Sequence, residues 1–202
     1  MALHNADQHL NSVSHIPLQD PTESPVNGLV YTDRHIADLL EIILPKKRIK
    51  KPSPPDRGLI IWDPGFSLQH LEKLPKVQEI MWIYDRVRED LFATTTRTPG
   101  YRQVCIPAPN TEDLWFNDQM EIVRRFQEDA CATTIAALAW ITHKLTTGQS
   151  LNDDIRIRCS EKEQGTNRHT EMESYGGSEL MIAYGFDDAD NIEGHALASI
   201  KV

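Results

Sequence analysis

Residues 130–141 read Ala-Cys-Ala-Thr-Thr-Ile-Ala-Ala-Leu-Ala-Trp-Ile, and within them Ile135 to Ile141 is the longest uninterrupted apolar run in a chain of 202 residues. A helix that is apolar nearly all round belongs inside a protein, because none of its faces is suited to water. Seven apolar residues also fall far short of the about 20 needed to cross a bilayer. The stretch therefore predicts a central buried helix and no membrane partner. Upstream, Trp115, Phe116, Met120, Val123 and Phe126 keep a three-to-four-residue rhythm, and no proline interrupts 112–147. One long helical element is expected there, charged on its outer face from Gln119 to Asp129 and ended by Gly148 as a C-cap.

Downstream the period changes to two. Ile155, Ile157 and Cys159 alternate with Arg156, Arg158 and Ser160, and further strand candidates follow at Arg168 to Tyr175, Glu179 to Phe186 and His195 to Val202. Gly176-Gly177 and the run from Asp187 to Gly194 separate them, which predicts an antiparallel meander of three or four strands with one face on the helix.

The first half of the chain supplies further helices. Ile36, Leu39, Leu40 and Ile43 follow a Thr32 or Asp33 cap and stop before Pro45, and Ser67 is placed to cap a short helix. Val77, Ile80, Met81, Tyr84, Val87 and Leu91 form a helical stripe over Lys76 to Phe92. Gly58 to Trp62 reads as a buried strand running into the Asp63-Pro64-Gly65 turn, and Tyr101 to Ile106 as an edge strand closed by Pro107 and Pro109. Residues 1–27, with His4, His9 and His15, show no sustained period and read as a flexible arm. Residues 46–57, basic and then Pro-rich, read as an exposed linker. The fold expected is one α+β domain over 28–202, with a central apolar helix packed on a C-terminal antiparallel sheet of three to four strands and further helices from the N-terminal half.

With 40% hydrophobic and 25% charged residues, 10 Gly and 12 Pro, the composition excludes collagen-like, wholly disordered and disulfide-scaffold chains. The net charge is −9, and residues 161–202 hold nine acids against three bases. Such an acidic segment repels phosphate, so nucleic acid is not the expected partner and a protein is. Three cysteines, Cys105, Cys131 and Cys159, form neither a CxxC pair nor an even disulfide set and point to a reducing compartment. The first 33 residues contain no Lys or Arg and no secretory apolar core, which predicts a cytoplasmic protein. The run Lys46, Lys47, Arg48, Lys50 and Lys51 resembles a short nuclear-import signal, the nuclear alternative for a eukaryotic host.

Two constellations compete for function. Gln127 lies four residues before Cys131, and Gly194-His195-Ala196-Leu197 opens a strand. In this the chain resembles papain-like cysteine peptidases, particularly the bacterial branch. That resemblance implies Cys131 as nucleophile, His195 as base and Gln127 as oxyanion donor, with the thiol activated by a helix N-terminus. The chain departs from that pattern in Ala132, where the branch usually has Gly, and has no Asn or Asp after His195. A cysteine in an Ala-rich helix is usually a small buried core residue, and that reading is preferred to a nucleophile here. Asp187, Asp188, Asp190 and Glu193 crowd one turn without the spacing of a calcium loop. No cofactor or metal is expected. The sequence favours a non-enzymatic binding or interaction module that uses its acidic C-terminal face, with a Cys131–His195 thiol hydrolase as the alternative.

Overall fold

Strand alternation and helical spacing coincide in several stretches of this chain, and burial and strand pairing decide between them. The computed structural model describes residues 26–44, 50–185 and 193–202. Residues 1–25 of the arm expected over 1–27, most of the basic run (Lys46, Lys47 and Arg48) and the acids Asp187, Asp188 and Asp190 lie outside the described residues. Val26 is buried and Asn27 Oδ1 accepts the Gly58 N–H at 2.6 Å, so the last two residues of that arm are packed rather than free.

Strand β1 (Val30–Tyr31) enters α1 (Asp33–Leu40), where the Thr32 hydroxyl oxygen accepts the His35 N–H at 3.2 Å and Glu41 ends the helix at φ 57°. The strand β2 (Leu59–Asp63) is buried along its whole length. Ser67 caps α2 (Leu68–Glu72) by accepting the His70 N–H at 3.2 Å. The stretch expected as one helix over Lys76 to Phe92 instead forms α3 (Pro75–Gln78), β3 (Met81–Ile83), α4 (Asp85–Glu89) and α5 (Leu91–Thr94). Met81 and Ile83 are buried while Trp82 and Tyr84 are exposed. That alternation puts Met81 and Ile83 on the buried side of a paired strand, whereas a helix would spread residues 81–84 around its whole circumference.

The strand β4 (Gly100–Cys105) is followed by a second departure. The element expected over 112–147 divides into α6 (Phe116–Arg124), β5 (Glu128–Ala130) and α7 (Thr133–Thr147). Gln127 takes a left-handed φ of 58°, which ends the helical path and turns the chain into β5. Gly148, at φ 78°, closes α7 through its N–H to the Lys144 carbonyl. The last third forms β6 (Arg156–Lys162), β7 (His169–Tyr175), β8 (Glu179–Tyr184), β9 (His195–Leu197) and β10 (Ser199–Lys201).

The strands make two five-stranded mixed sheets, in the orders β1-β2-β4-β10-β5 and β3-β8-β7-β6-β9. The architecture is therefore mixed α+β, but richer than a three-to-four-stranded antiparallel sheet. The β6-β7-β8 portion is an antiparallel meander, whereas β3 pairs with β8 and β9 with β6 in parallel. The strand β4, expected at an edge, lies between β2 and β10. At Ala198 the C-terminal chain passes from one sheet to the other: its N–H donates to the Arg158 carbonyl and its carbonyl accepts the Cys131 N–H at 2.8 Å.

Helix α7 touches β2 and β4 of the first sheet and β6, β7 and β8 of the second. Ile135 to Ile141 are all buried, in one apolar cluster with Ile61, Val104, Ile157, Met172 and Ile182. Among the described residues no helix is long and apolar enough to cross a membrane. The linker also ends differently from expectation. Lys50 and Lys51 are exposed, but Arg57 is buried.

Candidate functional site

In a strand, alternate side chains go to opposite faces. Ile157, Cys159, Thr170, Met172, Leu180 and Ile182 turn inward toward α7, so their neighbours form the outer face of the second sheet. The strand register sorts that face into rows. Trp82 stands beside Met181, Met181 beside Glu173, and Arg156 beside His195. A parallel row runs through Ala183, Glu171, Arg158 and Leu197.

Met181, Glu173, Arg156, Ala183 and Glu171 of these rows floor a cavity of about 430 Å³, walled by Tyr84, Arg86 and Tyr184. Arg88 holds the α4 wall in place: it bonds both Glu72 carboxylate oxygens, the Asp85 carboxylate and the Ile83 carbonyl. The Tyr184 hydroxyl donates to Asp90. At one end Trp82 and Tyr84, 52% and 42% exposed, pack ring against ring with centroids 4.5 Å apart. Toward the other end the charges are paired: Arg156 with Glu173 at 3.4 Å, Arg158 with Glu171 at 3.4 Å, and Arg86 with Glu163 at 3.6 Å across the mouth. Burial lowers the Arg158 pKa from its ordinary value, and the adjoining Glu171 carboxylate opposes that fall. Gly185 makes room for Glu171, since a Cβ at 185 would lie 2.3 Å from its carboxyl carbon.

His195 belongs to this face. Its Nε2 is 3.3 Å from Glu171 Oε1, and its Nδ1 donates to the Glu193 carbonyl at 3.1 Å. Cys131 lies elsewhere, fully buried in the core cluster with Ile157, Cys159 and Ala196 on the inner side of the sheet. The thiol and the imidazole thus stand on opposite faces. Gln127 is exposed, and the three residues of β5 separate it from Cys131 by roughly 13 Å of extended chain.

The α7 N-terminus, which the peptidase resemblance would use to activate the thiol, is already occupied. The N-cap position, Ala132, offers no side-chain acceptor, and the Glu161 carboxylate takes the Thr133 N–H and hydroxyl instead. Burial first, and then Glu161, push the Cys131 pKa up, away from a reactive thiolate. Cys159 is raised for the same two reasons. Burial and Glu128 lift Cys105 to about 11.

Among the described residues, four acids of the C-terminal segment are engaged within the molecule. Glu161 caps α7, while Glu163, Glu171 and Glu173 face Arg86, Arg158 and Arg156, cations that lie outside the segment. Counting charge along the sequence could not reveal those partners. The exposed Trp82–Tyr84 pair is also hidden in the sequence, because both residues fit a stretch of helical spacing. Among the described residues no three His, Cys, Asp or Glu side chains gather as a metal-ligand set. Compared with family models, curated proteins and solved structures, the chain matches none of them.

Proposed function

We propose that this chain is a non-enzymatic binding module that seats a short segment of a partner protein in the groove on the outer face of the second sheet, with α7 as the central support behind that sheet. The observation that carries this reading is the Trp82–Tyr84 pair, exposed and in tilted ring contact at the end of a floor of matched charges. Exposed aromatics are the usual anchors of protein interfaces, because they remove a large apolar area from water at small entropic cost. An apolar side chain of the partner would rest on the aromatic pair, and its backbone or polar groups would meet Arg156 and Glu173.

The groove lining sets Arg86, Arg156 and Arg168 beside Asp85, Glu163, Glu171 and Glu173, so it lacks the cationic excess that a phosphate backbone needs. The contact surface in this proposal is the groove rather than a free acidic face, since those same acids are paired. Three free cysteines support work in a reducing compartment, cytoplasmic or nuclear. No observation favours the thiol-hydrolase alternative.

Selection of peptides from a displayed random library on the immobilised full chain, followed by re-measurement on Trp82→Ala, tests the proposal. Peptides should bind the parent chain and lose at least about 10-fold in affinity on the variant, whose thermal midpoint stays unchanged. A failure to select any peptide, or equal binding to both proteins, would sink it.

A further inference from the structure

Arg57 is 8% exposed, although the Pro-rich stretch before it borders solvent. Gly58 helps to hold it there: at φ 68°, a Cβ at 58 would lie 2.2 Å from the Val104 carbonyl oxygen and 2.6 Å from Cys105 Sγ. Only glycine lets the chain pass so close to β4.

The Arg57 guanidinium lies 3.8 Å from the centre of the Phe126 ring. Its Nε is 3.4 Å from Glu128 Oε1, and the other Glu128 oxygen accepts the Ser199 hydroxyl at 2.5 Å. Glu128 is thus engaged from two sides, yet none of the three guanidinium nitrogens makes a hydrogen bond. A guanidinium offers five N–H donors in a fixed fork, and buried donors are normally paired. Beside it lies a cavity of about 420 Å³ whose lining includes Pro52, Pro54, Pro55 and Ile60, with Lys201 at its exposed rim.

We propose that this cavity binds a small aliphatic monocarboxylate on the Nη1–Nη2 edge of Arg57. The fork matches a carboxylate in a bidentate pair. The prolines, Ile60 and Phe126 supply an apolar wall for the tail. The lining carries two cations, Arg57 and Lys201, and two carboxylates, Asp56 and Glu128, so a monoanion is tolerated where a dianionic phosphate meets repulsion. The half-buried Phe126 ring covers the guanidinium, whose nitrogens are all sealed from solvent, so in this proposal the ring swings aside to admit the ligand.

The test is a titration of the ¹⁵N-labelled full chain with sodium propionate, and separately with inorganic phosphate, at constant ionic strength balanced with chloride. Saturable shifts at the Arg57 Nε–Hε signal and at the Gln103, Phe126 and Lys201 amides are expected with propionate. Arg57→Gln should weaken them at least 10-fold, and Phe126→Ala should change the affinity by more than 3-fold. An absence of saturation, saturation centred elsewhere, tighter binding of phosphate, or parent-like affinity in Arg57→Gln overturns the proposal. Should Arg57→Gln fail to fold, the parent titration and Phe126→Ala decide: shifts away from the cavity, or an affinity unmoved by Phe126→Ala, overturn it equally.

Discussion

The Glu161 carboxylate accepts both the backbone N–H and the hydroxyl of Thr133, at 2.8 and 2.6 Å, and so closes the N-terminus of α7 from the neighbouring strand β6. Thr133 also shares a hydroxyl contact of 2.6 Å with Thr170 on β7. A helix whose own N-cap is alanine thereby obtains its acceptor from the sheet that it supports. Glu161→Ala removes that acceptor and the favourable charge at the helix start. Urea unfolding should show a loss of about 1–2 kcal/mol; an unchanged midpoint would show that solvent caps the helix equally well.

The thiols give a second expectation. Iodoacetamide at pH 6 should leave Cys131, Cys159 and Cys105 unmodified in the native protein and label all three alike in urea, because burial holds each thiol protonated. Selective native labelling of Cys131 would restore the hydrolase reading.

The same groups set an alkaline limb. An unfolded Cys105 thiol ionises near 9.0, whereas the folded one keeps its proton to about 11. The folded state therefore holds the extra proton, and the stabilisation is complete below about 9 and lost as pH rises toward 11. Cys105 alone should contribute a decline of roughly 2–3 kcal/mol over that range. Cys105→Ala should flatten the decline; an equally steep limb in the variant would place its source elsewhere.

On the acid side, burial lowers the pKa of both His143 and His169. His143 Nδ1 lies 2.8 Å from the Tyr31 hydroxyl, and His169 donates to the Cys159 carbonyl while stacking on Phe116. Below the ordinary histidine value of 6.5 the unfolded chain takes up protons that the folded chain refuses, so stability present above 6.5 falls on acidification. Each histidine adds up to about 1.4 kcal/mol per pH unit to that slope. Comparing urea midpoints from pH 7 to 5 for the parent and a His143→Gln/His169→Gln double variant isolates their share, and identical slopes would contradict it.

Much of the scaffold is legible in the sequence because it rests on local signals. The apolar character of 130–141, the caps Thr32, Ser67 and Gly148, and the alternation from Ile155 to Ser160 all lie at the expected places. What is not legible depends on partners remote along the chain. The strand β3 hides in a helical stripe until β8 pairs with it, and β5 hides in another until Ser199 and Ile200 stand opposite Ala130 and Asp129. The candidate groove is hidden for the same reason: Arg156 and Arg158 find Glu173 and Glu171 only through the register of β6 on β7.

Gly185→Ala probes the groove floor without touching its mouth. A Cβ there displaces the flexible Glu171 carboxylate from Arg158 and His195, so a stability loss of about 1–2 kcal/mol and a shifted His195 ring resonance are expected together. A shift in neither would show that the carboxylate is not held as described.

The most direct measurement is the amide and indole shift map of the full ¹⁵N-labelled chain saturated with a library-selected peptide. Seating in the groove predicts that the largest changes fall at Trp82, Tyr84, Met181, Arg156 and Glu173, with the core around α7 unmoved. Changes centred on any other surface, with the Trp82 indole signal left in place, would contradict it.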